Sequence, residues 1–472
     1  MSRTRASLAL FCAAAALAGA PARPAAQSLP DVPRVQFRDR TLPNGLRVLS
    51  VQDRGTPTVA VQAWYGVGAR DDPPGRSGMG HLVEHLMFQG SRGVRPGEMV
   101  QMAEDVGWPA TPGSQSTAWV DGIAVYQEVP SSYLETFLWA EADRLRGLAP
   151  NDSLLAFERE AVNGEIRGEF QQPPLGPFQA MLQRGSFTGG PYRGLDIGSI
   201  EELAGVTLEE VRAHAARHFR PDNVTLVVVG DFEPARLDAW VDRWFGALAR
   251  PAEPLRRTPV DAPERTAEQR ETGYGRVQAP AVALSFPTPG EAGEDMAALR
   301  VARALLAGDG QARLQRALVA AQPRLAAGVS ANVLPRVGPG AFTLTAIGTR
   351  ESTAEKLEQT LRAEVARLRD EPVPAAELER VKARMATEQL RRLETNVGKA
   401  DALGQAAVWA GDPARVNGVV PAILAVTPAD VQRVMRRWAA ENRFYVLHYL
   451  PESARRAPAG GGTQGATTGG GR

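Results

Sequence analysis

The sequence predicts an α+β chain made of two homologous domains, each a mainly antiparallel sheet covered by helices. Three observations point there: a strand–turn–strand opening, a run of helical patterns behind it, and a segment of the first half that recurs in the second. The opening runs from Val35 to Val51 around the turn residues Pro43-Asn44-Gly45. Thr58 to Val67 alternates as a further strand, and helical patterns follow around residue 80, at Pro96–Val106, Ser131–Arg146 and Asn151–Phe170. The recurrence pairs Val206-Thr207-Leu208-Glu209-Glu210-Val211, leading to a strand at Val224–Val229, with Val426-Thr427-Pro428-Ala429-Asp430-Val431, leading to one at Phe444–Leu450. Equal order and near-equal spacing predict a duplicated unit of about 200 residues. The domains are therefore set at 35–250 and 268–453, joined by a proline- and charge-rich linker at 251–267. Residues 454–472 form a Gly- and Thr-rich tail whose composition predicts disorder.

The chain has 472 residues, 43% hydrophobic and 23% charged, with a formal net charge of +1. This is the balance of a globular protein and gives no basis for nucleic acid as a partner. Lysine occurs only at 356, 382 and 399, so the positive charge is nearly all arginine. Arg3 and Arg5 precede an apolar run from Ala6 to Ala20 that ends in small residues. That pattern predicts a secretory signal peptide within residues 1–26 and a periplasmic or secreted mature protein. The run is short of the roughly 20 residues that cross a bilayer, so no membrane span is expected after cleavage. The single cysteine, Cys12, lies inside this signal, which excludes disulfides from the mature chain.

Gly80-His81-Leu82-Val83-Glu84-His85-Leu86 carries the chemistry. Histidines four apart on a helix share a face and can reach one metal ion. Glu84 lies beside that face, where a carboxylate can take a proton from metal-bound water. The spacing inverts the H-E-x-x-H zinc helix. A catalytic zinc usually takes three protein ligands, so a third is required. Glu158 and Glu165, seven apart on a helical pattern, share a face. One can bind the metal while the other holds a histidine, although both also suit a solvated acidic helix. His214 and His218 are also four apart, but Arg212, Arg217 and Arg220 surround them with the wrong charge for a cation. Trp108 and Trp119 are assigned to core packing rather than to a substrate cavity, and Asp121 and Tyr126 to ordering the sheet. The second half has no H-x-x-E-H, and its one histidine, His448, falls in the last strand.

With Leu42-Pro43-Asn44-Gly45, Gly66-Val67-Gly68-Ala69-Arg70-Asp71, Pro191-Tyr192, Gly198-Ser199 and His218-Phe219-Arg220-Pro221-Asp222-Asn223, this motif resembles the pitrilysin/insulinase family of inverzincin metallopeptidases. The resemblance is to the branch of the mitochondrial processing peptidase and its bacterial homologues. It implies that His81, His85 and Glu165 bind one Zn2+ and that Glu84 is the catalytic base. Glu158 would support a ligand from behind. It implies an endopeptidase or oligopeptidase acting on peptides or unfolded polypeptides in an enclosed chamber; the alternative is a non-catalytic structural subunit of the same fold. Two departures stand out. The family's Asn-Ala-x-Thr edge strand, which pairs with substrate, is here Gln115-Ser116-Thr117-Ala118, leaving Gln115 and Ser116 as the substrate-binding candidates. The family's Leu-Arg with a tyrosine seven residues on is absent from Leu318–Val329, where Arg324 and nearby Arg316 lack such a tyrosine. The expectation is a heterodimer whose homologous subunit supplies that arginine and tyrosine.

Overall fold

The computed structural model describes residues 32–108, 116–261 and 263–456, so the segment expected to be a signal peptide, Gln115 and nearly all of the Gly-rich tail lie outside the described residues. In the first half the chain runs through β1 (Arg38–Thr41), β2 (Arg47–Gln52), β3 (Thr58–Tyr65), α1 (Met79–Leu86) and α2 (Glu98–Asp105). It continues through β4 (Ser116–Ala118), β5 (Ile123–Pro130), α3 (Leu134–Arg146), α4 (Asp152–Ile166) and α5 (Gly176–Ser186). α6 (Ile200–Leu203), α7 (Leu208–His218), β6 (Val224–Gly230) and α8 (Pro234–Trp244) complete it. The sheet order is β1-β2-β6-β3-β5-β4, antiparallel throughout except for β2 against β6.

The second half repeats this path. It comprises β7 (Gln269–Gly275), β8 (Ala281–Thr288), α9 (Met296–Ala307), β9 (Ala326–Leu334), β10 (Gly340–Gly348), α10 (Ala354–Asp370) and α11 (Ala375–Arg392). α12 (Asn396–Trp409), α13 (Val419–Ala425), α14 (Pro428–Trp438) and β11 (Tyr445–Pro451) follow. Its order, β7-β11-β8-β10-β9, matches β2-β6-β3-β5-β4, down to one parallel pair at the equivalent place. α7 and α14, which precede those parallel strands, open on the same device. Thr207 with Glu210 and Thr427 with Asp430 form reciprocal capping boxes that satisfy open backbone donors. The predicted duplication is thus a duplicated topology.

One face of each sheet packs against helices of its own half, burying Val61, Phe137, Leu226 and Phe245 in the first and Leu284, Phe342, Leu357 and Val434 in the second. The other face is covered from the opposite half. α12, from the second, brings Ala400 and Leu403 onto Leu49, Trp64 and Val229 of the first sheet. α5, from the first, lays Phe178 and Met181 against Ala283, Tyr445 and Leu447 of the second. Both crossings depend on a glycine under an aromatic ring. A Cβ on Gly404 would come 2.2 Å from Trp64, and one on Gly185 would come 2.0 Å from Tyr445.

A buried ionic network fastens the halves near the linker. Arg70 donates to Asp121 at 2.6 Å, Tyr192 donates to the same carboxylate at 2.9 Å, and Asp121 also accepts the Val337 N–H of the second half at 2.8 Å. Gly338 N–H donates to Tyr192, and Thr258 of the linker donates to Asp71. Asp121 does more than order its sheet: it ties the first sheet to the second half. Breaking one member of such a buried pair costs about 3–5 kcal/mol, because the other charge is left unpaired. The motif residues Arg70, Asp71 and Tyr192 therefore brace the fold. Among the described residues no helix is long and apolar enough to cross a membrane.

Candidate metal centre

α1 is amphipathic. Met79, Leu82, Val83 and Leu86 pack on Leu155, Val162 and Ile166 of α4 and on Val211 of α7, which turns His81 and His85 to the remaining face. The helix starts at Gly78 (φ 98°), which has no side chain to cap it. Asp72 does the capping from a distance, its two oxygens accepting the Gly78 and Gly80 N–H groups at 2.7 Å each. Burial pushes the Asp72 carboxyl up to about 7, against the pull of those two bonds. Gly198 packs directly on this start, and a Cβ there would fall 2.4 Å from the Gly78 Cα. That close approach brings the Ile197 carbonyl to 3.2 Å from Nδ1 of His81.

α4 supplies the facing carboxylates. Glu165 Oε2 lies 3.4 Å from His81 Nε2, and its Oε1 lies 3.6 Å from His85 Nε2. Two turns back along α4, Glu158 Oε2 lies 2.9 Å from His85 Nδ1, and its Oε1 accepts from Gln89 at 2.5 Å. Glu84, buried, places Oε2 3.7 Å from His81 Nε2. The rings of His81 and His85 stand nearly perpendicular, with centroids 4.8 Å apart. Among the described residues, His81, His85 and Glu165 form the one group of three such side chains whose donor atoms all lie within 4.8 Å of one another.

Three carboxylates crowd two imidazoles here. Burial by itself would lower His85, but hydrogen bonds to Glu158 and Glu165 outweigh it and raise its pKa to about 10. His81 and His85 in turn hold the Glu165 carboxyl well below the usual carboxylate range. A divalent cation satisfies this balance. Tetrahedral zinc with ligands at about 2.0–2.2 Å sets its donor atoms about 3.3–3.6 Å apart, which is the spacing that Glu165 keeps from both histidines. Two nitrogens and one oxygen also make the three-ligand set that leaves a fourth position open. Glu165 is 46% exposed on its side chain, so that position faces solvent rather than core.

The other candidates separate from this cluster. The rings of His214 and His218 lie 4.6 Å apart between centroids, tilted by 43°, and burial pushes both below the usual histidine value, as neutral core residues. His448 is taken by Glu358 at 2.7 Å. Ser116 sits on the edge strand β4, paired with Val125. Trp108 packs against the first core. Trp119 stacks on Trp64 but also lines a cavity of about 400 Å³ with Asp196, Arg336 and Trp409, so packing is only half of its role. The sequence reading missed Asp72, Gln89 and the Ile197 carbonyl. The Gly198-Ser199 motif marked the last of these without giving its purpose.

Comparison with known proteins gives the chain its relatives. Residues 47–175 match the model of the insulinase family (peptidase family M16), and residues 205–385 match that of the peptidase M16 inactive domain. A zinc protease of Helicobacter pylori, PqqE, is 24% identical over 362 residues, covering 75% of this chain and 80% of its own. Subunit 1 of the bovine mitochondrial cytochrome b-c1 complex is 28% identical over 286 residues, 60% of this chain and 57% of its own. The crystal structure of a protease from Helicobacter pylori superposes with a TM-score of 0.83 at 21% identity, over 88% of this chain and all of that one. The chain belongs to the insulinase family of peptidases.

Proposed function

We propose that this protein is a zinc-dependent endopeptidase or oligopeptidase acting on peptides or unfolded polypeptides, working outside the cytoplasm. The observation that carries the reading is the convergence of His81, His85 and Glu165 with Glu84 alongside. His81, His85 and Glu165 would hold the zinc, which would supply acidity to a water molecule near neutral pH and polarise the scissile carbonyl. Glu84 takes the proton from the attacking water and delivers it to the leaving amine. Glu158 and the Ile197 carbonyl fix the two imidazoles from behind, so each ring presents Nε2 to the metal. The edge strand β4 is the candidate for pairing with substrate backbone, through Ser116 and the adjacent Gln115.

The competing reading is a structural subunit of the same fold, as the bovine relative's name describes that protein. A scaffold has no physical need for the zinc-ligand set with a base beside it, which favours the peptidase. The deciding experiment measures zinc by elemental analysis in the purified mature protein and hydrolysis of an unfolded polypeptide in parallel. One zinc per chain with chelator-sensitive hydrolysis supports the reading. Protein that binds no zinc when supplied with it would sink it.

A further inference from the structure

By chain order and sheet position, α9 and α11 hold in the second half the places that α1 and α4 hold in the first. They bring arginines together instead of histidines. A cavity of about 750 Å³ is lined by Arg300 and Arg303 of α9 and Arg392 of α11, with Arg415 and the carboxylates Glu291, Glu294 and Glu388 also on its wall. Arg300 is engaged by Glu291 at 2.6 and 2.7 Å, and Arg392 faces Asp401 at 3.8 Å. Arg303 is half-buried and has neither hydrogen bond nor ion pair among the described residues; its electrostatic neighbours are Arg300, Arg384 and Glu388. Glu388 already accepts from Arg384 at 2.6 Å. A guanidinium carries five donors and no acceptor, so the half-buried Arg303 has donors available to an anion entering the cavity.

The cavity is far larger than a lone anion requires and includes apolar wall from Met385, Val419 and Ile423. It shares Asn332 and Trp409 with the 400 Å³ cavity that contains Trp119 and Asp196. Asp196 adjoins Ile197, whose carbonyl faces His81. The two cavities are therefore neighbours, separated by Asn332 and Trp409.

We propose that this cavity binds a carboxylate of the polypeptide substrate, with Arg303 as its principal contact. The ligand's identity as substrate rests on the peptidase reading; its negative charge rests on the arginines alone. The carboxylate can be the C-terminal group or an acidic side chain.

The test uses the zinc-loaded Glu84→Gln protein, so that bound peptides persist, and fluorescence anisotropy of labelled peptides. One arm compares a peptide acid with its C-terminal amide; the other compares single Gln→Glu replacements at successive positions. At least one carboxylate form should bind about tenfold tighter than its neutral counterpart, as expected of a charge-assisted hydrogen bond. Adding Arg303→Gln should erase that preference while leaving zinc content unchanged, because Arg303 has no hydrogen bond or ion pair among the described residues to lose. Arg303→Lys should retain part of it. The arm that responds assigns the terminus or the side chain. Equal affinity of charged and neutral forms, or a preference that survives Arg303→Gln, would overturn the proposal. Binding with this preference, but no turnover of the same peptides by the unsubstituted protein, would count against the peptidase reading and leave the carboxylate site standing.

Discussion

Glu158 Oε2 lies 2.9 Å from Nδ1 of His85, and the other oxygen of the same carboxylate accepts from Gln89. The carboxylate fixes the ring from behind, so that Nε2 points to Glu165. Glu158→Gln keeps the shape but removes the charge that makes the imidazole a strong ligand. Zinc affinity should fall about 10–100-fold. Competition against a chelator of known affinity measures this, and an unchanged dissociation constant would contradict it.

Glu84 should separate binding from chemistry. Glu84→Gln keeps the size of the side chain and leaves His81, His85 and Glu165 in place, so one zinc should remain per chain. Turnover should fall by about 100-fold or more, the contribution of a positioned general base. Undiminished turnover would remove Glu84 from the mechanism.

Acid should weaken the protein through the buried pair on α7. Burial holds His214 down at about 3, against about 6.5 in the unfolded chain. The folded value is the lower one, so the unfolded chain takes the proton first. The stability linked to this site is present above about pH 6.5 and is lost as pH falls towards about 3. Melting temperatures recorded from pH 8 to pH 4 with chelator present should fall more steeply for the unsubstituted protein than for His214→Leu. The leucine also removes a buried Nε2 that has no hydrogen-bond partner in the structure. Parallel curves would show that the pair does not couple to folding.

The metal cluster was legible because its parts repeat with helical periods. Histidines four apart and glutamates seven apart must share faces wherever the helices pack. Asp72, Gln89 and the Ile197 carbonyl have no such period, since they come from loops or from a helix end and meet α1 only through tertiary packing. The duplication was visible in the Thr207 and Thr427 segments. The parallel pairing of β2 with β6, and of β7 with β11, joins residues too far apart for any local pattern to reveal. The sequence reading placed neither α5 nor α12, whose cross-half packing depends on tertiary contacts with the opposite sheet.

Mature protein should begin between about Pro21 and Ser28 and reside outside the cytoplasm. N-terminal sequencing of protein from the native source checks this, and recovery of Met1 or Ser2 would refute it.

Full activity should require a homologous subunit. Arg324 donates to the carbonyls of Ala326 and Ala327, and Arg316 stands 3.9 Å from Glu377, so both have partners in their own half. An arginine and a tyrosine from a second subunit would stabilise the oxyanion, where one donor contributes about 3 kcal/mol, or about 100-fold. Hydrolysis should rise when a co-purifying homologue is added to the isolated chain. Equal rates with and without it would dismiss the requirement.

α5 and α12 are equivalent members of the repeat, and each completes the sheet of the other half. In effect the chain is a domain-swapped dimer whose two protomers have been fused end to end. A single ancestral unit of this design would expose one apolar sheet face and could bury it only by pairing with a copy of itself. Within one chain that association is intramolecular, with an effective concentration set by the tether rather than by the cell. The two halves carry different chemistry, carboxylates around histidines in one and arginines in the other, yet each relies on the other to cover its sheet.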